Sequence, residues 1–144
     1  MRRLDLTKLP KAAGVVDSLI DELGGIDAFV NNAGLGKSAP FLELSWDDWR
    51  ETPATDLDGA FLCAQRAAKR MVDQGRGGRI VNVTSVHELV PKSESSAYVA
   101  AKHGLGGLTK VMALELAEHG ITVNNVRRRV AFDGRRAERP LTRP

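Results

Sequence analysis

The chain has 144 residues, enough for one domain with a buried core, and its composition is that of a globular protein. Apolar residues make up 42% and charged residues 27%, and no apolar run is long enough to cross a bilayer or to form a secretory signal. The single cysteine, Cys63, excludes an internal disulfide framework and a cysteine-built zinc site. We therefore expect a cytoplasmic protein without metal or membrane contact, in which Cys63 is a small buried side chain.

Hydrophobic periodicity and the positions of glycine predict helices that alternate with three short strands. The predicted elements are, in chain order, a helix over 9–23, a strand over 26–31, a helix opening at Ser45, a helix over 57–74, a strand over 79–84, a helix over 96–118 and a strand over 121–126. This alternation favours an α/β fold with a parallel sheet, and the valine-rich strands favour helices on both faces. The carboxyl ends of such strands share one edge, where ligands bind.

Positive charge is concentrated after the last predicted strand. The net charge is +3, yet residues 127–144 contain seven arginines against Asp133 and Glu138, which leaves the first 126 residues mildly acidic. We expect a domain over residues 1–126 and a disordered Arg/Pro-rich tail over residues 127–144. A basic tail can bind polyanions, but this one has little aromatic content and no groove-reading motif, so we expect no nucleic-acid partner.

Three polar side chains are candidates for acid–base chemistry at the ligand edge. Ser85 follows the second strand, while Tyr98 and Lys102 are one helical turn apart and therefore share a face. A tyrosine has an ordinary pKa of about 10, and a neighbouring ammonium lowers that pKa. The serine hydroxyl can hold a substrate oxygen beside the phenol. Such a trio can move a proton to or from an alcohol, but the accompanying hydride requires a nicotinamide cofactor.

Several motifs, in order and at matching spacing, make the chain resemble the short-chain dehydrogenases/reductases over about residues 4–126. These are "LDLT" (4–7), "NNAG" (31–34), "RIVNVTS" (79–85), "YVAAK" (98–102) and "ITVN" (121–124). The resemblance implies a partial Rossmann-like, doubly wound parallel sheet of about three strands with flanking helices. It also implies an NAD- or NADP-dependent oxidoreductase that acts on a small-molecule alcohol, ketone or sugar.

The resemblance also implies roles for individual residues. Tyr98 is the general acid/base, Lys102 lowers its pKa and holds the nicotinamide ribose, and Ser85 positions the substrate oxygen. Asp56 stands where the family usually has asparagine and is expected to support a water-linked proton path to the lysine. The remaining cofactor contacts are expected at Asp5 and Leu6 for the adenine and at Asn32, Ala33 and Gly34 along the groove.

Two segments, "SVHE" (85–88) and "VNN" (123–125), resemble the bacterial glucose 1-dehydrogenase branch. On that resemblance His87 and Glu88 bind sugar hydroxyls. The alternative is that both are ordinary polar loop residues.

The sequence departs from the family pattern at both ends and within one helix. No TGxxxGxG turn for the cofactor pyrophosphate is present, and arginines follow "VNNV" in place of a Pro-Gly loop. We therefore expect a chain truncated at both ends that lacks the first βαβ unit, with the strand at 26–31 left as an exposed apolar edge. Pro53 lies in a stretch that the family makes helical, which predicts a break near Thr52.

Three functions are compatible with this pattern. The first is an active short-chain dehydrogenase, and the second is a catalytically incomplete remnant that cannot bind dinucleotide. The third is a small binding module that uses its basic tail. The helices near 57–74 and 96–118 form the intersubunit surface in family tetramers, so a homo-oligomer is a further expectation.

Overall fold

The computed structural model describes residues 4–6 and 8–128, and the expectation of a disordered tail over residues 129–144 lies outside this range. Four helices and three strands alternate along the described chain. They are α1 (Leu9–Glu22), β1 (Ala28–Asn31), α2 (Trp46–Pro53), α3 (Ala60–Gln74), β2 (Gly78–Ser85), α4 (Ser96–Leu116) and β3 (Ile121–Arg128). No described helix combines the length and apolar character that a membrane crossing requires.

The three strands form one parallel sheet in the order β1-β2-β3. This arrangement confirms the α/β, Rossmann-like fold class in partial form. The last strand runs two residues beyond its predicted end at Val126, because Arg127 and Arg128 pair with Thr84 and Ser85. The first residues assigned to the tail therefore belong to the sheet.

The described helices that pack on the sheet cover one of its faces. The strand order follows the chain, so successive crossovers of one hand lie on the same side. On the opposite face Val30 and Val126 are 57% and 53% exposed, and the described residues do not supply the second helical layer that we expected. The core on the covered face consists of Ala64, Ala68, Met71, Ile80, Ile121 and Val123.

Two smaller predictions concern the region around α1 and β1. Strand β1 lies at the edge of the described sheet and exposes Val30, as predicted. Cys63 is buried beside Val16 and Ile20 of α1, also as predicted. Burial raises the pKa of the Cys63 thiol, because it disfavours the charged thiolate.

The helix break predicted near Thr52 is wrong. Pro53 and Ala54 have helical dihedral angles, with φ −59° and ψ −36° at Pro53 and φ −57° and ψ −39° at Ala54. The chain continues through a π-helical segment, Ala54–Gly59, directly into α3. A proline removes one N–H donor, and the wider π turn that follows changes the hydrogen-bond spacing without ending the helix.

Candidate active site

A cavity of about 150 Å³ opens at the carboxyl edge of the sheet. Three parts of the chain meet there, namely the loop after β1, the end of β2 and the first turns of α4. Tyr98 and Lys102 both line the cavity, as their helical spacing predicts. The other lining residues are Asn32, Gly34, Leu35, Gly36, Val83, Thr84 and Arg128.

Lys102 is held in place by a buried carboxylate. Its Nζ lies 3.1 Å from Oδ2 of Asp56 and donates a hydrogen bond of 3.2 Å to the backbone oxygen of Val83. The same Nζ is 5.5 Å from the centroid of the Tyr98 ring. The Lys102 and Asp56 side chains are only 4% and 0% exposed, so the charge pair is shielded from water. Asp56 therefore contacts the lysine directly, and its support of a water-linked proton path stays a prediction.

The π-helical segment carries the Asp56 carboxylate to this lysine. Its second oxygen, Oδ1, accepts a hydrogen bond of 2.7 Å from the backbone N–H of Leu35. Burial raises the pKa of Asp56, while the Leu35 N–H and the Lys102 ammonium oppose that rise. The carboxylate thus connects the loop after β1 to the face of α4 that carries Tyr98 and Lys102.

Two glycines allow the loop after β1 to lie directly on these side chains. A Cβ atom at Gly34 would lie 3.1 Å from Asp56 Oδ2 and 3.3 Å from Lys102 Nζ. A Cβ atom at Gly36 would lie 3.2 Å from Cδ2 of Tyr98. Larger residues at either position would have to displace the Tyr98–Lys102 face.

A second cleft, of about 400 Å³, continues from the cavity toward the amino end of the chain. It shares Gly34 and Leu35 with the cavity. Thr55 also lines it, and the buried Thr55 Oγ1 has no hydrogen-bond partner in the described chain. The remaining lining residues are Leu4, Asp5, Leu6 and Ala33.

These two adjoining spaces fit the two ends of a nicotinamide nucleotide. The predicted adenine contacts lie in the cleft, and the predicted ribose contacts lie in the cavity. The unpartnered Thr55 hydroxyl is a polar group that a ligand in the cleft can satisfy. The glycine-rich pyrophosphate turn has no counterpart in this sequence.

Ser85 and His87 do not line the Tyr98 cavity. Ser85 is fully buried at the end of β2, and its Oγ accepts a hydrogen bond of 3.2 Å from the backbone N–H of His87. The neighbours of Ser85 do line the cavity, namely Thr84 before it in β2 and Arg128 opposite it in β3. His87 places Nδ1 2.9 Å from the backbone oxygen of Val90.

Glu88 holds β3 rather than facing the cavity. Its carboxylate is buried, with Oε2 3.4 Å from Arg127 Nε and Oε1 3.5 Å from Asn125 Nδ2. The carboxylate also lies so close to Gly106 of α4 that a Cβ atom there would collide with it. Glu88 does not line the cavity with Tyr98, and its buried Oε2 has no hydrogen-bond partner in the described chain, so its role as a sugar ligand stays a prediction.

A row of asparagines crosses the sheet behind the site and was not anticipated. Asn31, Asn82 and Asn125 lie opposite one another in the three strands. Asn31 Nδ2 donates to Asn82 Oδ1, and Asn82 Nδ2 donates to Thr109 Oγ1, each over 2.8 Å. Thr109 Oγ1 lies 2.6 Å from Asn125 Oδ1. The available signal was an asparagine within each of the three strands, at the end of β1 and inside β2 and β3.

The sequence comparison identifies the family. Residues 1–129 match the short chain dehydrogenase family. The chain belongs to that family. Similar proteins named as oxidoreductases or dehydrogenases match most of this chain.

Named relatives of this short chain dehydrogenase cover most of the chain. The uncharacterized oxidoreductase YohF of Escherichia coli (strain K12) is 58% identical over 124 residues, which are 86% of this chain and 49% of YohF. The crystal structure of acetoin dehydrogenase from Enterobacter cloacae is 57% identical with a TM-score of 0.85, covering 88% of this chain and 52% of that chain. Acetoin dehydrogenase YohF from Salmonella typhimurium is 54% identical with a TM-score of 0.86, covering 88% and 50%. The chain spans about half the length of these relatives.

Proposed function

We propose that the chain carries the proton-transfer site of an NAD(P)-dependent oxidoreductase for a secondary alcohol or ketone. The observation that carries this proposal is the common cavity of Tyr98 and Lys102, with Asp56 behind the lysine. Family membership supports the oxidoreductase class. The cleft that adjoins the cavity supports a nucleotide cofactor.

Tyr98 is the proposed acid/base. During reduction its phenol gives a proton to the carbonyl oxygen, and during alcohol oxidation the phenolate takes that proton back. Lys102 Nζ lies 5.5 Å from the centroid of the Tyr98 ring, beside the proposed proton donor. Ser85 is proposed to hold the substrate oxygen, which requires its buried hydroxyl to turn from the His87 N–H toward the cavity. When bound, the nicotinamide supplies or accepts the hydride at carbon.

The cofactor is proposed to lie along both spaces. Asp5 and Leu6 would meet the adenine, Ala33 and Gly34 would line the groove, and Asn32 would lie beside the nicotinamide. Tyr98 and Lys102 would hold the adjoining ribose. This order follows the order of these residues along the cleft and the cavity. Titration with both reduced nucleotides distinguishes NAD from NADP as the cofactor.

We propose a small hydroxyketone, such as acetoin, as the substrate class rather than a sugar. Two of the similar structures are named acetoin dehydrogenases. The sugar alternative depends on His87 and Glu88, yet neither residue lines the cavity that contains Tyr98 and Lys102. Turnover of acetoin and of glucose discriminates the two.

A fluorescence titration with NADH and NADPH, followed by acetoin reduction and glucose oxidation, tests the proposal. We expect saturable binding of one nucleotide and turnover of acetoin in preference to glucose. Glu118→Gln, at an exposed position far from the cavity, is the matched surface control. Absence of saturable binding would favour the catalytically incomplete remnant. Salt-sensitive retention on a polyanion, lost on deletion of residues 127–144, would favour the binding module.

We also propose that α3 and α4 mediate self-association. Phe61 of α3 is 44% exposed, and Val111 and Leu114 of α4 are 49% and 81% exposed. Exposed apolar side chains of this size are typical of interaction surfaces. In light scattering we expect Leu114→Lys to lower the molar mass toward that of the monomer. Leu23, which follows the end of α1, is comparably exposed, and Leu23→Lys should leave the molar mass unchanged. Equal masses for both variants would contradict the proposal.

A further inference from the structure

Lys37 lies in the loop after β1 and pairs with two carboxylates of α2. Its Nζ is 2.5 Å from Asp48 Oδ1 and 2.6 Å from Glu51 Oε2. The other Asp48 oxygen, Oδ2, accepts a hydrogen bond of 2.8 Å from the hydroxyl of Ser45, the residue that caps the start of α2. Because this cap already orients the Asp48 carboxylate, the lysine joins a charge network rather than an isolated surface pair.

Three consecutive residues attach this loop to the structure around Tyr98. The backbone N–H of Leu35 donates a hydrogen bond of 2.7 Å to the buried Asp56 carboxylate. Gly36 lies against the Tyr98 ring, since a Cβ atom there would come within 3.2 Å of Cδ2. Lys37 then joins the loop to α2. Gly36 is therefore held on the ring between two attachments, one buried and one at the surface.

Helix α2 is a firm support for the surface attachment. It packs against α4, the helix that carries Tyr98, and its Thr52 is fully buried. The three paired side chains, by contrast, are 40% to 46% exposed. Salt screens exposed charges much more than buried ones. Substitution or high ionic strength can therefore release the surface attachment while the buried contacts remain.

We propose that Lys37 is a positioning residue for Tyr98, which acts by holding Gly36 against the phenol ring. The inference rests on the proposed function, because that phenol is the proposed acid/base. A ring with the loop packed against it keeps one orientation, so the phenol oxygen keeps a defined place in the cavity. Without the lysine, Asp48 and Glu51 would be like charges one helical turn apart, which repel each other and favour no contact with the loop.

The single tyrosine of the sequence allows a test that needs no nucleotide. With ring-labelled tyrosine, NMR reports the surroundings of Tyr98, and amide hydrogen exchange at Leu35 reports how often the loop leaves Asp56. Lys37→Gln should speed that exchange about two- to fivefold, the range for exposed ion pairs, and should shift the Tyr98 ring resonances. About 0.5 M salt should move both signals of the parent toward those of the variant.

Two further variants separate the charge of Lys37 from its packing. Lys37→Arg keeps a cation that can reach both carboxylates, so it should keep both signals of the parent. Lys69→Gln makes the same charge change at an exposed position of α3, beside α1, and should alter neither signal.

Several results would overturn the proposal. Unchanged Leu35 exchange in Lys37→Gln would show that the ion pairs do not hold the loop, and faster exchange with unchanged Tyr98 resonances would show that the loop does not position the ring. An arginine variant that behaves like the glutamine variant would show that the charge is not responsible. These readouts involve no nucleotide, so failure here leaves the proposed function to be judged by nucleotide binding and acetoin turnover.

Discussion

Two buried carboxylates, those of Asp56 and Glu88, lie near the end of β2 and have different surroundings. Asp56 pairs with Lys102 beside Tyr98, and its two oxygens contact the Lys102 ammonium and the Leu35 N–H. Glu88 pairs with Arg127 and Asn125 on the helical side of β3. Both are carboxylates with a cationic partner, and the partner of Asp56, Lys102, lines the cavity beside Tyr98. The two carboxylates therefore differ in their surroundings rather than in their chemistry, since both contact a cationic side chain.

Removing the phenol beside the Asp56–Lys102 pair has the largest expected effect. Tyr98→Phe keeps the ring that packs against Gly36 but removes the proposed proton donor. We expect kcat for acetoin reduction to fall by about 10²- to 10⁴-fold, the usual contribution of general acid–base catalysis. Steady-state kinetics measure the loss, and the nucleotide titration is the control for binding. A variant that retains its kcat would contradict the assignment of Tyr98.

Removing the second carboxylate should affect stability. Glu88→Ala leaves the Asn125 amide and the Arg127 guanidinium without their partner, and we expect a loss of about 1–3 kcal/mol of unfolding free energy. Urea unfolding measures this loss. Glu118→Ala, a change at a 79% exposed glutamate, should stay within about 0.5 kcal/mol of the parent. An unfolding free energy of Glu88→Ala equal to that of Glu118→Ala would contradict the structural role assigned to Glu88.

The smallest effect is a pH dependence that belongs to Asp56. Its pKa is raised by burial from the ordinary value of 3.8, so the native state keeps this proton to a higher pH than the unfolded chain. Its contribution to stability therefore falls as the pH rises through the window between the two pKa values, and it then levels off.

Asp56→Asn isolates that contribution. The unfolding free energy of the parent minus that of the variant should decline as the pH rises above about 4, the ordinary aspartate pKa, and should then level off. Parallel urea titrations at several pH values give this difference. A constant or increasing difference would show that the Asp56 pKa is not raised.

The sequence predicted the order of the elements and the face of α4 that carries Tyr98 and Lys102, but not the contacts of the Glu88 carboxylate. The order of helices and strands and the shared face of Tyr98 and Lys102 follow from local periodicity, and both agree with the structure. The partners of Glu88 depend on strand register and on how α4 packs, which one sequence does not encode locally. The same holds for the placement of Arg128 at the cavity.

The Pro53 error has a different cause. The helical penalty of proline is real, but it assumes that the i to i−4 hydrogen-bond pattern must continue. The chain instead adopts a π-helical segment immediately after Pro53, and that segment contains Asp56. The expected break was wrong because the chain can continue past a proline by changing from an α-helix to a π-helix.

The most direct test of the account is an amide NMR titration of the chain with NADH. The amide resonances of Leu6, Gly34 and Lys102 should shift together along one saturation curve, because one ligand spans the cleft and the cavity. Shifts confined to the hollow at the opposite edge of the sheet, which Gly77 and Gly120 line, or no saturable shifts at all, would contradict a nucleotide site beside Tyr98.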